Sequence, residues 1–318
     1  MPNIKNNILI IKHGALGDII LAGAAIKAIR SSHKNDYIIC LTTILFEDLL
    51  KKSPWVDMVM VDAKPKWNNI KGWKNLKDFF KKYNFSRVYD LQTSYRSNLY
   101  FYIFFFIKKT DWSGIALGSR FRQSNPNRKK MHTIDRQKDQ LKLVGIDYNY
   151  YPEWKWLSNN YKNINIVPSD KFIILVIGAA KHRLKKRWPK EKYALLIEYF
   201  ANIGIQSVIL GGHDEIQDVK EIINLVDKSI VKSPLNYANK TSYKDIAYLS
   251  SFAVYAIGND TGPMHLIAAC GLPVLVLFGS GSNPDLCAPK GSNVTILYKE
   301  LIDNITVKSV FNAIKLHE

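Results

Sequence analysis

The chain has 318 residues, of which 47% are hydrophobic and 23% charged, an ordinary globular composition with length for two domains. Its cysteines, Cys40, Cys270 and Cys287, are too widely spaced for a disulfide framework or a zinc site, so a reducing, cytoplasmic compartment is expected. The start carries one lysine before a short apolar run and lacks the pattern of a secretory signal.

The formal charge of +18 is unevenly spread: residues 1–160 hold 27 Lys/Arg against 13 Asp/Glu, and the remainder 18 against 14. A basic first half favours an anionic partner, nucleic acid or an anionic lipid surface, against the plainer reading of a solvated lysine-rich face.

In chain order, apolar runs of strand length alternate with helix-length segments. The first set is "ILIIK" at 8, "YIICLT" at 37, "VDMVMV" at 56, "RVYDL" at 87 and "SGIAL" at 113. This alternation predicts a parallel sheet covered by helices. Between these runs, "DIILAGAAIKAIR" is apolar nearly all round, as in a helix buried on both sides, and "NIKGWKNLKDFFKKY" is amphipathic. The run "LYFYIFFFI", 99–107, is well short of the roughly 20 residues that span a bilayer and reads as a buried helix.

The tyrosine-rich stretch 147–170 has two prolines and little periodicity, and is expected to connect two domains. A second strand series follows: "FIILVIG" at 172, "SVILGG" at 207, "SIVKS" at 229, "VYAIG" at 254 and "PVLVLFG" at 273, with "PKEKYALLIEYFANIG" as one intervening helix. Two α/β domains of this kind are expected to face an interdomain cleft with the carboxyl ends of their strands.

The clearest chemistry lies in "GNDTGPMHLIAACG", from Gly258. A strand ends there, Asn259, Asp260 and Thr261 offer capping oxygens, and Pro263 suits a first helical turn. Gly262 allows close approach to free backbone N–H groups, so a diphosphate is a natural occupant, with His265 able to donate to phosphate or sugar oxygens. Asp260 repels phosphate and is better suited to ordering the loop or accepting from a sugar hydroxyl.

After the first strand of the second series, Gly178 and Ala179 expose backbone, and the basic cluster Lys181, Arg183, Lys185, Lys186 and Arg187 could neutralise a leaving diphosphate or simply be solvated. Asp214 and Glu215 stand at a helix start, where an acid holds ribose hydroxyls or complements the helix dipole. In the opening "KHGALGD", Gly14 and Gly17 make a strand-to-helix turn with the spacing of neither a dinucleotide fingerprint nor a P-loop. Asp18 is either a helix cap or, at the end of the first strand, a carboxylate placed to take a proton from an attacking hydroxyl.

These stretches together resemble glycosyltransferase family 9, the heptosyltransferase-like enzymes of lipopolysaccharide assembly. The resemblance runs through "KHGALGDIILAGAAIKAIR", "YDLQTSYRSNLY", "HTIDRQKDQLKLVGI", "KRWPKEKYALL", "GNDTGPMHLIAACGLPVLVLFG" and "ITVKSVFNAI". It implies a GT-B fold of two Rossmann-like domains: 1–155 for the acceptor, 168–305 for the nucleotide sugar, and a closing helix, 306–318, returning to the first domain. It makes Asp18 the general base and Lys186 the cation on the donor diphosphate. Asp260, Thr261, Gly262 and His265 become donor contacts; to these the reading of the residues adds Gly178, Ala179, Asp214 and Glu215 as candidate donor contacts, and Gly14, Gly17, Arg96, Arg120 and Arg136 as candidate acceptor contacts.

The implied reaction is inverting transfer of heptose from ADP-heptose to a lipopolysaccharide-core-type acceptor. It uses neither metal nor cofactor, and takes place at the inner face of the cytoplasmic membrane. The segment from Tyr95 to Arg136 is the expected membrane-facing surface. Two departures stand out: Gly23 and Ala24 occupy a region where the family often has proline, and "GSGSNP" from 279 replaces a compact G-x-T-x-P turn. The competing readings are another nucleotide-sugar enzyme, such as an epimerase, and a basic nucleic-acid-binding protein, for which no motif is present.

Overall fold

The computed structural model describes residues 6–105, 110–179, 183–230 and 232–314. The chain divides into two compact units, Met1–Tyr150 and Tyr151–Glu318.

In the first unit, β1 (Asn7–Ile11), β2 (Tyr37–Thr42), β3 (Met58–Val61), β4 (Arg87–Asp90), β5 (Asp111–Gly114) and β6 (Phe121–Arg122) form one parallel sheet in the order β3-β2-β1-β4-β5-β6. The expected strand at 113–117 is shifted: Asp111–Trp112–Ser113 pair with Arg87–Val88–Tyr89, so the strand ends at Gly114. The two-residue β6 is too short to leave an apolar run in the sequence.

The helix Leu16–Ser32 buries most of its circumference, as its apolar sequence requires, and packs against the helix Thr133–Lys142. The amphipathic helix Ile70–Tyr83 is capped by Asn69, whose side chain accepts from the Gly72 amide at 2.9 Å, and buries Leu76, Phe79 and Phe80. The aromatic run begins as the helix Tyr95–Tyr100 and widens into a π-helical turn, Phe101–Phe105. Tyr100, Phe101 and Phe105 are buried, while Tyr102 and Ile103 are exposed. Ile107 lies outside the described residues.

In the second unit, β7 (Phe172–Val176), β8 (Gln206–Leu210), β9 (Leu235–Asn236), β10 (Tyr255–Asn259), β11 (Val274–Phe278) and β12 (Val294–Tyr298) form a second parallel sheet, ordered β12-β11-β10-β7-β8-β9. Every residue of β7, β10 and β11 is buried, the mark of central parallel strands covered on both faces. The expected strand at 229–233 is instead a turn in its described part, because Asp227 accepts from the Ser229 amide at 2.9 Å; the sheet edge is β9, farther on. β12 has no counterpart among the expected strands.

Much of the tyrosine-rich connection is integral to the second unit. Trp154 is buried and donates its amide to the Ala269 carbonyl at 2.8 Å, while Tyr161 and Asn163 bond to Asp245. The closing helix Val307–Ala313 packs within the same unit, with Phe311 against Tyr199 and Phe200. Among the described residues no helix is long and apolar enough to cross a membrane.

The loop after β1 depends on Gly14, which adopts φ +123° and whose missing Cβ would run into the Phe46 ring. Gly14→Ala therefore meets both a disfavoured backbone and a clash, and is expected to cost about 2 kcal/mol or more. Urea denaturation measures this; an unchanged midpoint contradicts it.

Candidate functional site

In each sheet the chain runs from a central strand to one edge and then returns to the other side of that strand. β1 is followed by β2 and β3, and the return strand β4 pairs with β1; β7 is followed by β8 and β9, and the return strand β10 pairs with β7. Connections at β1/β4 and β7/β10 thus depart in opposite directions and open a crevice at the carboxyl ends of the strands.

The first crevice is a polar cavity of about 190 Å³ lined by Lys12, Asp18, Leu91, Gln92, Thr93, Arg128, Thr133, Arg136, Gln137 and Gln140. Asp18 stands in the first turn of the helix Leu16–Ser32, where its Oδ2 accepts from the Ala15 amide at 3.2 Å. It therefore helps cap the helix while remaining part of the cavity wall.

Three cations share that wall. Lys12 is buried and donates to the Leu91 carbonyl at 3.3 Å; burial draws its pKa down while Asp18 and Asp90 oppose the shift. Arg128 donates to Gln123 at 2.7 Å and Thr93 at 2.6 Å, and its pKa is lowered by burial and then by Arg136. Arg136 donates to the Thr133 hydroxyl at 2.7 Å. Beneath them, burial pushes the Asp90 carboxyl up to about 6, against amide bonds from Gln92 and Thr93. Gln137 leaves a buried Oε1 without a hydrogen bond.

The second crevice is built on a buried ion pair. Lys186, at the end of a 3₁₀ turn, places its Nζ 2.5 Å from Asp260 Oδ2, and both side chains are less than a tenth exposed. His265 Nε2 lies 3.6 Å from the other carboxylate oxygen. Burial alone would raise the Asp260 pKa, but His265 and Lys186 hold it at about 2.

Two features fix the lysine's backbone. Asn259, fully buried at the end of β10, donates to the Ile177 carbonyl at 2.6 Å and accepts from the Trp188 amide and the Tyr193 hydroxyl, each at 3.1 Å. Around 279–281 the "GSGS" turn lies so close that a Cβ on Gly279 would stand 2.7 Å from the Lys185 carbonyl oxygen, and one on Gly281 2.8 Å from Lys186 Cγ. The altered turn thus makes a cradle for Lys186.

The helix Gly262–Ala269 starts beside this pair, and Thr261 at its cap position spends no side-chain bond on the cap. His265 turns toward Asp260, with a buried Nδ1 that has no hydrogen-bond partner. Gly178 and Ala179 are buried; Gly178 abuts the Glu215 carboxyl, and the Ala179 carbonyl accepts from Arg187 at 2.8 Å. Glu215 accepts from the Gly212 amide at 2.8 Å, whereas the Asp214 side chain is half exposed.

Of the basic cluster, Arg183 and Lys185 are exposed, Arg187 pairs with Asp218 at 2.8 Å, and Lys181 lies outside the described residues. Arg96 is engaged with Tyr100 and the Pro65 carbonyl, and Arg120 with Asp111 at 2.8 Å; neither lines the Asp18 cavity, unlike Arg136. Gly17 lies in the first turn of its helix, and Gly14 lines a neighbouring, more apolar cavity of about 740 Å³. Sequence reading missed Lys12 and Arg128, although Lys12 stands inside a quoted motif, and it read Asn259 as a capping oxygen, whereas its side chain bonds Ile177, Trp188 and Tyr193. Among the described residues no three His, Cys, Asp or Glu side chains group as metal ligands.

The sequence profile of glycosyltransferase family 9 (heptosyltransferase) matches residues 73–312. The chain belongs to glycosyltransferase family 9. It is a glycosyltransferase with the GT-B fold. This family 9 chain is 24% identical over 315 residues to the lipopolysaccharide core heptosyltransferase OpsX of Haemophilus influenzae, covering 92% of this chain and 85% of that one. Its fold matches the glycosyl transferase family 9 structure from Veillonella parvula with a TM-score of 0.79 and 21% identity, over 98% and 97% of the two chains. The E. coli ADP-heptose lps heptosyltransferase II matches with a TM-score of 0.79 and 19% identity, over 96% and 97%.

Removing the Asp260 carboxylate strands the Lys186 ammonium in a buried site. Asp260→Ala is therefore expected to lose about 3 kcal/mol at neutral pH. Because the Asp260 pKa is depressed from 3.8 to about 2, the pair's contribution is complete above the unfolded value and disappears as pH falls through the folded one. The gap between the denaturation midpoints of wild type and variant should begin to narrow below about pH 4 and close only near about pH 2; a gap independent of pH contradicts the assignment.

Proposed function

We propose that this chain is a lipopolysaccharide heptosyltransferase that moves heptose from ADP-heptose to a saccharide of the lipopolysaccharide core, with inversion and without a metal. The observation that carries this reading is that each unit, taken by itself, has a charged cluster at its switch point: a carboxylate among three cations in the first and a buried, carboxylate-held lysine in the second. The names of the similar proteins, a lipopolysaccharide core heptosyltransferase and an ADP-heptose lps heptosyltransferase, support the substrates.

In this reaction Asp18 takes the proton of the acceptor hydroxyl. The acceptor oxygen bonds to the anomeric carbon as the bond from that carbon to the diphosphate oxygen breaks. ADP leaves with the electron pair, its growing charge met by Lys186 and the free amides at Thr261 and Gly262. Asp260 and His265 hold Lys186 ready for the diphosphate. Gly178 and Ala179 leave room for the donor's approach, while Asp214 faces the ribose and Glu215 braces the loop. Lys12, Arg128 and Arg136 bind an anionic group of the acceptor, with Gly14 and Gly17 shaping the turn beside Asp18.

Asp18→Asn keeps a side chain of the same size and removes the base. It is expected to lower kcat about a hundred-fold to ten-thousand-fold while ADP-heptose still binds as in wild type. Acceptor-dependent ADP release together with donor-binding calorimetry makes the test. Full turnover by the variant removes Asp18 from the chemistry, and equal donor consumption without acceptor favours the epimerase reading.

A further inference from the structure

The loops following β2 and β3 carry large apolar side chains that the fold leaves uncovered. Ile44 and Leu45 are 66% and 74% exposed on a short turn anchored by buried Phe46, and Trp67 and Ile70 are 68% and 81% exposed. Scattered exposed apolar residues are commonplace, but these are joined. Ile44 and Leu45 share the wall of one cavity with Lys64. Pro65, next in sequence, accepts from Arg96; the Lys66 carbonyl accepts from the Trp73 indole at 3.1 Å; and Trp67 stacks on Trp73 with ring centroids 5.6 Å apart. Arg96 stands over that same Trp73 ring. Polar bonds and stacking therefore present the apolar groups on a supported loop.

Charge decides the occupant. Residues 63–77 contain Lys64, Lys66, Lys71, Lys74 and Lys77 and no acidic residue. Apolar tips among lysines match the boundary of an anionic bilayer, where aliphatic and indole groups enter the headgroup region while ammonium groups meet lipid phosphates. A purely nucleic-acid-binding face would have no use for Ile44, Leu45 and Ile70.

We propose that this rim at the carboxyl end of the first sheet docks on an anionic lipid bilayer, through Ile44, Leu45, Trp67 and Ile70 surrounded by the lysines of residues 63–77. This differs from the segment 95–136 suggested by sequence, whose Arg128 and Arg136 face the Asp18 cavity. The docking stands independently of which sugar is transferred.

The test is flotation of the full chain with vesicles of phosphatidylcholine alone or mixed with phosphatidylglycerol. Wild type should bind the anionic vesicles at least about ten-fold more tightly. Two double variants, Trp67→Ser with Ile70→Ser and Lys66→Gln with Lys71→Gln, should each weaken that binding about ten-fold, with added salt reducing the difference between the lysine variant and wild type. Far-UV circular dichroism and turnover of a lipid-free acceptor should be unchanged in both. Equal vesicle binding by wild type and either well-folded variant overturns the proposal, as does preference for duplex nucleic acid that ignores Trp67 and Ile70. Absence of turnover in every protein, wild type included, counts against the transferase reading alone, since vesicle binding is read separately.

Discussion

Parallel strands impose the constraint on which this molecule is built. Each must be followed by a crossover, and where two crossovers depart in opposite directions, the carboxyl ends of adjacent strands are left uncovered. Both sheets have this reversal at their centre, between β1 and β4 and between β7 and β10. The first exposes Asp18 among cations; the second exposes a helix start beside Lys186 and Asp260. Both charged clusters occupy positions that the topology leaves open.

The Lys186–Asp260 pair shows how much surrounding structure such a position needs. A buried ammonium is costly unless a charge and fixed dipoles compensate it. Here the carboxylate is kept ionised by its neighbours, Asn259 bonds three separate segments, and two glycines let the 279–281 turn close over residues 185 and 186. Asp260, an awkward neighbour for a phosphate, makes physical sense as the group that holds the lysine. The first unit solves a similar problem with less pairing: Lys12 and Asp90 are both deeply buried, each disfavoured by desolvation and each supported by the other's charge.

Much of the fold was legible because its central strands are short apolar runs ended by glycine or a polar residue, and their helices carry clear amphipathic or all-apolar patterns. The central strand "YIICLT" coincides with β2, whereas β6 and β9 span two residues each and leave no periodic trace. The apolar "SIVKS" was misleading because the Asp227 side chain imposes a turn that apolarity does not reveal. Lys186 and Asp260 were legible as individual residues, but their pairing, 74 positions apart in the chain, was not. The same limit separates three arginines of similar sequence context: Arg136 faces the cavity, while Arg96 and Arg120 are held by Tyr100 and Asp111. Partner choice is a property of the folded chain.

In the proposed reaction Lys186 exchanges its carboxylate partner for the donor's diphosphate. Calorimetric affinities for ADP and AMP, compared between the wild type and Lys186→Gln, test this most directly, because the two nucleotides differ only in the phosphate that the lysine would meet. Wild type is expected to prefer ADP by about ten-fold or more, and the substitution to remove most of this preference. An undiminished preference in Lys186→Gln would mean that the diphosphate is held elsewhere.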